Sequence, residues 1–225
     1  MSLTDRLLRP LSPSRPLITH YDDAAGTRVE LSVATVANWA AKTANWLVEE
    51  FDVEPGDEVA VRLPAHWQTA GVLLGAWWCG AHVVAESPSA RVSFVAQGAP
   101  VVGTTAVVAL DPMGRGLTSP PPDGALDYLA EARIAGDTFS PLVPIDGDTP
   151  ALAGSTVDEV FESAPRVAEG ARVLSTVEWT VPEGVLRGFV GPLAAGAHLV
   201  QVSNPDLAKL EDRRRAERTT ADLLD

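Results

Sequence analysis

From Val33 to Phe51 apolar residues recur at three- and four-residue spacing: Val33, Val36, Ala37, Ala40, Ala44, Leu47, Val48 and Phe51. One apolar face of this width predicts an amphipathic helix, and Ser32 is placed to cap its start. Trp39 and Trp46 sit seven apart beside that face, a spacing that reads as packing rather than ligand binding. Ahead of the helix, residues 16–22 and 27–31 read as two strands around the turn Asp23-Ala24-Ala25-Gly26. Behind it, short β-branched runs at 58–63, 81–85, 91–96 and 105–110 predict strands. A helix over 66–79, closed by Gly80, falls between the first two of these.

The pattern then breaks. Residues 111–124 hold four prolines and three glycines, so no regular element fits there. Short helices are expected at 125–133 and from Ser155, with Asp158 completing a capping-box-like start, to about 169. The alternation resumes with a strand at 171–177, a helix at 182–195, a strand at 197–202 and a helix from 205. Such alternation predicts an α/β fold with layered, largely parallel sheets flanked by helices. Gly80-Ala81-His82-Val83-Val84 and Gly196-Ala197-His198-Leu199-Val200 repeat one helix-to-strand turn, which suggests two similar layers. The chain is expected to form a single domain over 1–225, with two lobes, 1–110 and 145–225, joined by the segment 111–144.

Composition narrows the partners. The 225 residues carry a formal net charge of −13, which argues against a nucleic-acid surface or a polybasic membrane contact. A 46% apolar content suits a folded globular chain. The first sixteen residues hold no secretory leader pattern, no stretch sustains a membrane span, and a cytoplasmic location is expected. The lone Cys79 excludes an internal disulfide and fits a reducing compartment. Lysine is nearly absent: Lys42 and Lys209 stand against 15 arginines.

Candidate chemistry is sparse. His20, His66, His82 and His198 include no pair at metal-ligand spacing, and no metal site is expected. Cys79 and His82 lie three apart, but the thiol falls at the apolar end of a helix and reads as buried and inert. Neither a G-x-S-x-G elbow nor a G-x-G-x-x-G turn occurs. The basic C-terminal run Arg213, Arg214, Arg215 and Arg218, interleaved with Glu211, Asp212 and Glu217, reads as a solvated, ion-paired helix face.

Two blocks nonetheless resemble the adenylate-forming (AMP-binding) superfamily of acyl-CoA synthetases. In the first, Glu54-Pro55-Gly56-Asp57-Glu58-Val59-Ala60-Val61-Arg62-Leu63-Pro64, followed by Gly80 to Val84, is similar to the family's "PGDxVAxxLP" and "GAxxVP". In the second, Ala171-Arg172-Val173-Leu174-Ser175-Thr176, followed by Pro192 to Val200, is similar to "DRVLSTLP" and "PLLAGAxVV". Together they cover somewhat under half the chain, in the family's order. The resemblance implies part of the N-terminal domain of those enzymes, in the manner of short, degenerate AMP-binding-like proteins of high-GC bacteria.

It also implies a "TSGTTGxPKG" phosphate loop between the blocks. The aligned stretch, Asp148 to Glu159, retains one glycine and the hydroxyls Ser155 and Thr156 beside Asp158 and Glu159, with no lysine following. Both hydroxyls are explained as helix caps, so no nucleotide-binding role passes to them. The family's aromatic-His pair is replaced by Val177-Glu178-Trp179-Thr180, and its adenine-binding segment, ribose-binding Asp and lysine-bearing C-terminal lobe have no counterpart in these residues. Neither Lys42 nor Lys209 matches a family lysine. The expectation is a non-catalytic binding or interaction protein with no catalytic, nucleotide-binding or metal-binding residue and no cofactor. It would act as a homo-oligomer or with a protein partner, with an acyl or carboxylate compound as a candidate ligand. The alternative is an enzyme of acyl metabolism with altered chemistry, or one completed by a partner chain.

Overall fold

A helix that leaves no polar face, Trp67–Trp78, sits at the centre of the molecule. The computed structural model describes residues 1–122 and 124–225. In order the elements are α1 (Leu3–Leu8), β1 (Pro16–Asp22), β2 (Thr27–Ser32), α2 (Val33–Phe51), β3 (Glu58–Arg62), α3 (Trp67–Trp78), β4 (His82–Val84), β5 (Val92–Ala96), β6 (Thr105–Val108), β7 (Ala125–Asp127) and α4 (Tyr128–Ala132). There follow β8 (Pro150–Leu152), β9 (Ser155–Thr156), α5 (Val157–Ser163), β10 (Arg172–Ser175), α6 (Glu183–Val185), a π-helical turn (Leu186–Val190) and α7 (Gly191–Ala194). The chain ends with β11 (His198–Ser203), a 3-10 turn (Leu207–Lys209), α8 (Leu210–Glu217) and β12 (Ala221–Leu223).

The fold is α/β with two mostly parallel sheets and helices against them. One sheet has the order β12-β10-β11-β1-β2, and within it β2 alone runs antiparallel. The other has the order β7-β6-β5-β3-β4-β8-β9, with β9 antiparallel. The first sheet takes its strands from both ends of the chain, and β1 pairs with β11 in register from Ile18–Leu199 to Asp22–Ser203.

Ser32 caps α2 through the Thr35 N–H, where the periodicity places it. The apolar face of α2 lies on α3, and the closest approach is at Gly75. A Cβ there would stand 2.8 Å from the Ala40 carbonyl oxygen and closer still to Thr43. Trp46 enters an aromatic cluster with Phe51, Phe94 and Tyr128, while Trp39 lies 5.8 Å from Trp67.

Several local expectations shift. The N-terminal stretch holds α1, whose Leu3 and Leu7 are buried and whose Thr4 hydroxyl bonds to Leu74 O. Residues 125–127 add an edge strand instead of starting a helix, because Asp127 takes the cap position and accepts from Leu129 and Ala130 N–H. The helix expected over 182–195 is broken by the π-helical turn ahead of Pro192, which has no N–H to continue the ladder. Asp123, in the stretch expected to be irregular, lies outside the described residues.

Gly75→Ala forces α2 and α3 apart and should destabilise by about 2 kcal/mol. At Gly71 the nearest neighbour of an added methyl is Trp39 Cβ at 3.3 Å, so Gly71→Ala should cost less. Urea unfolding of both variants checks the order, and equal costs would remove Gly75 from its role as the contact that sets helix spacing.

Candidate functional site

Two places merit a site: the stretch aligned with the phosphate loop, and the polar residues buried between the sheets. In the first, β8 and β9 form a hairpin whose two central residues, Ala153 and Gly154, both have positive φ (45° and 89°). That is the I′ geometry of a two-residue turn, and it leaves no open loop. The backbone donors are engaged at almost every step. Ala153 N–H goes to Val83 O, Gly154 N–H to His82 Nε2, Val157 N–H to Thr149 O and Asp158 N–H to Gly147 O. Thr156 N–H goes to the Glu159 carboxylate, and Glu159 N–H returns to the Thr156 hydroxyl. The helix cap is therefore Thr156 with Glu159, one residue beyond the expected Ser155–Asp158 pair. α5 stops at Ser163, short of 169, because Ala164 precedes Pro165 and turns extended. Asp158 pairs instead with Arg6.

The second place is a polar row on the inner face of the first sheet. Ser175, Gln201 and His20 are cross-strand neighbours on β10, β11 and β1. His66, the cap residue of α3, meets His20 edge-on with ring centroids 4.3 Å apart. Their separation in sequence hides this pair from any spacing rule. Ser203 donates its hydroxyl to Ala65 O at 2.6 Å, so His20 Nε2, 2.9 Å away, must be the donor to Ser203 Oγ. His20 Nδ1 is then a buried acceptor without a partner among the described residues. His66 Nδ1 accepts from Gln68 N–H, and Gln68 in turn bridges Leu110 N–H and Asp111 O. Burial holds His20 down to about 4, and burial with the neighbouring His20 holds His66 down to about 2. Both are neutral near pH 7. The Ser203 proton points at a carbonyl and away from the imidazole, so the row does not form a nucleophile–base pair. Its role is to hold the start of α3 on the strand ends.

The remaining candidates are structural in their contacts. Cys79 is buried, its thiol pushed up to about 12 by burial, and its Sγ faces Ala76 O. His82 turns to Gly154 and lies 4.0 Å from Glu58. Among the described residues no group of three or more His, Cys, Asp or Glu is arranged to hold a metal ion.

No family model matches the chain. A protein of Mycobacterium tuberculosis, described as a TIGR03089 family protein, is 43% identical over 236 aligned positions, which cover 97% of this chain and 95% of that one. The chain belongs to the TIGR03089 family. Among solved structures, a Brucella canis acyl-CoA synthetase matches with a TM-score of 0.75 at 15% identity, covering 100% of this chain and 47% of that one. A benzoate CoA ligase from Burkholderia xenovorans matches with a TM-score of 0.73 at 15% identity, over 99% of this chain and 50% of that one. The TIGR03089 chain thus has the adenylate-forming synthetase fold and spans about half the length of these structures.

In the TIGR03089 chain the C-terminal helix is not the uniformly solvated face that its charges suggest. Arg214 and Arg215 pair with Glu211 and Asp212 at the surface, but Glu217 is buried and accepts from Tyr21, Arg28 and Arg172. Burial alone would raise its carboxyl; the hydrogen bonds from Arg28, Tyr21 and Arg172 outweigh it and bring the group down to about 2. Arg213 packs over the Tyr21 ring at 4.0 Å and pairs with Asp23. These partners lie on β1, β2 and β10 and, for Asp23, in the turn between β1 and β2, where sequence periodicity carries no hint of them. Among the described residues no helix is long and apolar enough to cross a membrane.

His198 is also held down to about 4 by burial and the nearby Arg172 charge. Unfolded imidazoles titrate near 6.5, so below that pH the unfolded chain takes up protons that the folded chain refuses. Stability should fall from pH 6.5 downward, by up to about 2 kcal/mol at pH 5 for one buried imidazole such as His20. Urea midpoints at pH 7.5 and 5.0 measure this, and His20→Gln should flatten the slope. An unchanged midpoint would contradict the buried neutral state of all three rings.

Proposed function

We propose that this TIGR03089 protein is a non-catalytic binding or interaction protein of the cytoplasm, built on the scaffold of an adenylate-forming synthetase. The observation that carries the reading is the engagement of the backbone donors between Ala153 and Glu159 by the protein's own acceptors. A phosphate cradle needs free N–H groups converging on one point, with a cation to offset the charge. Here the turn is closed, no lysine follows, and Asp158 and Glu159 stand at its edge. An acyl or aryl carboxylate is the ligand class the scaffold suggests, since the solved relatives in fold are CoA synthetases and ligases.

Interaction is favoured by exposed apolar side chains on the strap 134–143. Ile134 is 88% exposed and Leu142 is 91% exposed, while Lys42 and Asn45 tie the strap's carbonyls to α2. Burial of such residues between two copies would remove apolar surface from water.

ATP–pyrophosphate exchange with a panel of acyl and aryl carboxylates tests the chemistry. No carboxylate-dependent exchange above the blank is expected, and any such exchange overturns the non-catalytic reading. Sedimentation velocity across micromolar concentrations tests association: a dimer is expected, and a monodisperse monomer counts against it.

A further inference from the structure

The chain's excess of carboxylates makes an unpaired arginine informative. Of the fifteen arginines, ten have a carboxylate within 4 Å. Among the described residues Arg9, Arg15, Arg133, Arg166 and Arg218 do not. Arg133 is engaged by Gly114 O, and Arg218 ends α8. The other three gather at one end of the first sheet.

There, below the starting ends of the parallel strands β1, β10 and β11, lies a cavity of about 540 Å³. Arg15, the residue before β1, and Arg166, after α5, both line it. Leu11, Val167 and Ala194 supply apolar wall, and Glu169 also lines it. Its floor is two turns, at Gly170 and Gly196, each with positive φ and joined by the Gly170 N–H to Ala195 O bond. Gly196 takes the turn at φ 61°, which favours glycine, and the position of its missing Cβ lies 3.8 Å from Arg15 Nη1 and 3.5 Å from Leu11 Cδ2, which places the guanidinium beside the turn. The Arg15 guanidinium makes no hydrogen bond or ion pair among the described residues; its backbone N–H goes to Ser12 O and its carbonyl accepts from Val33 N–H. Arg166 rests on the Phe161 ring at 4.8 Å and gives one bond to Phe161 O at 3.3 Å, which leaves most of its donors free. Arg9 lines a shallower cavity that shares Pro10 with this one.

The geometry points to an anion-binding site in this cavity, one that takes a phosphate group between Arg15 and Arg166, either free or as the head of a small phosphate monoester. Guanidinium forks match tetrahedral oxyanions, and two of them in one cavity favour a doubly charged group. The apolar wall would accept the carbon part of an ester. The cavity lies at the opposite strand ends from the His20–His66 row, and none of its lining residues belongs to the 148–159 hairpin. It therefore goes beyond the non-catalytic reading and does not rest on it.

Titration calorimetry in about 50 mM salt, with inorganic phosphate and with glycerol 3-phosphate, tests it; succinate serves as the carboxylate control. Binding of phosphate or its ester is expected, with the ester tighter if the wall takes part. Arg15→Gln and Arg166→Gln should each weaken it at least tenfold, Glu169→Gln should tighten it, and Arg218→Gln should leave it unchanged. Arg166 is exposed, so its variant keeps the test decisive if Arg15→Gln fails to fold. No heat from either phosphate at 10 mM overturns the proposal. So does an equal loss in Arg218→Gln, which would mean general charge attraction, and so does succinate binding as well as phosphate. The exchange assay reads the 148–159 chemistry alone, so the two readings fail separately.

Discussion

A helix with no polar side must be covered on every side, and in this chain that helix is α3. From Trp67 to Trp77 every residue of it is buried. Its large apolar side chains, such as Val72, Leu73 and Leu74, contribute roughly 1.5–3 kcal/mol each when fully buried, which makes α3 a strong incentive to fold and also a strict constraint. The constraint explains the closeness of α2, which only Gly75 allows. It explains why α1, short and weak by itself, is docked by Leu3, Leu7 and the Thr4 hydroxyl on Leu74 O. It also explains the stacking of Trp77 on Phe189 from the π-helical turn, with the Trp77 indole N–H satisfied by Ala151 O. A single amphipathic face would have needed one sheet. An apolar cylinder recruits elements from both ends of the chain.

The polar groups buried near α3 follow from the same constraint. Where the helix begins, its first N–H groups face the strand ends and not water, so they need internal acceptors. His66 Nδ1 supplies one for Gln68 N–H, and Ser203, His20 and Gln68 extend the network outward. Two imidazoles in contact are tolerable there only while both are neutral, since a charge in that environment would be unpaired. The arrangement secures the helix start and confers a dependence on pH, without offering a reactive group to solvent.

How much of this was legible in the sequence depends on the range of the interaction. Ser32 announces α2, and the runs at 58–62 and 92–96 announce their strands, because caps and apolar periodicity are encoded within a few residues. The sequence offers Ser155 and Thr156 as equally competent caps, and the hairpin turn at Ala153-Gly154 decides for Thr156. An alanine with positive φ is a poor advertisement for a turn. The His20–His66 contact and the partners of Glu217 join residues distant in sequence, and no local pattern encodes them. The basic run at 213–218 conceals its partners for the same reason. Its charges read as solvent-facing until β1, β2 and β10 place Tyr21, Arg28 and Arg172 beneath the helix.

The hairpin at 148–159 separates what the scaffold needs from what a loop can carry. β8 and β9 sit at the edge of their sheet, and β8 pairs with β4 through a short register around Val83 and Leu152. The central strands β3, β5 and β6 are held by their own ladders and by the cores beneath them, so the length and conformation of the edge loop can change without disturbing them. The same holds for charge. Ten arginines are neutralised by neighbouring carboxylates, and those pairs pin surfaces such as α8 onto the sheet without creating a site. Arg15 and Arg166 are among the arginines with no carboxylate partner among the described residues, and the cavity they share is the anion site proposed above. A scaffold shared over about half the length of those structures can thus keep its central strands while the loop at its edge changes.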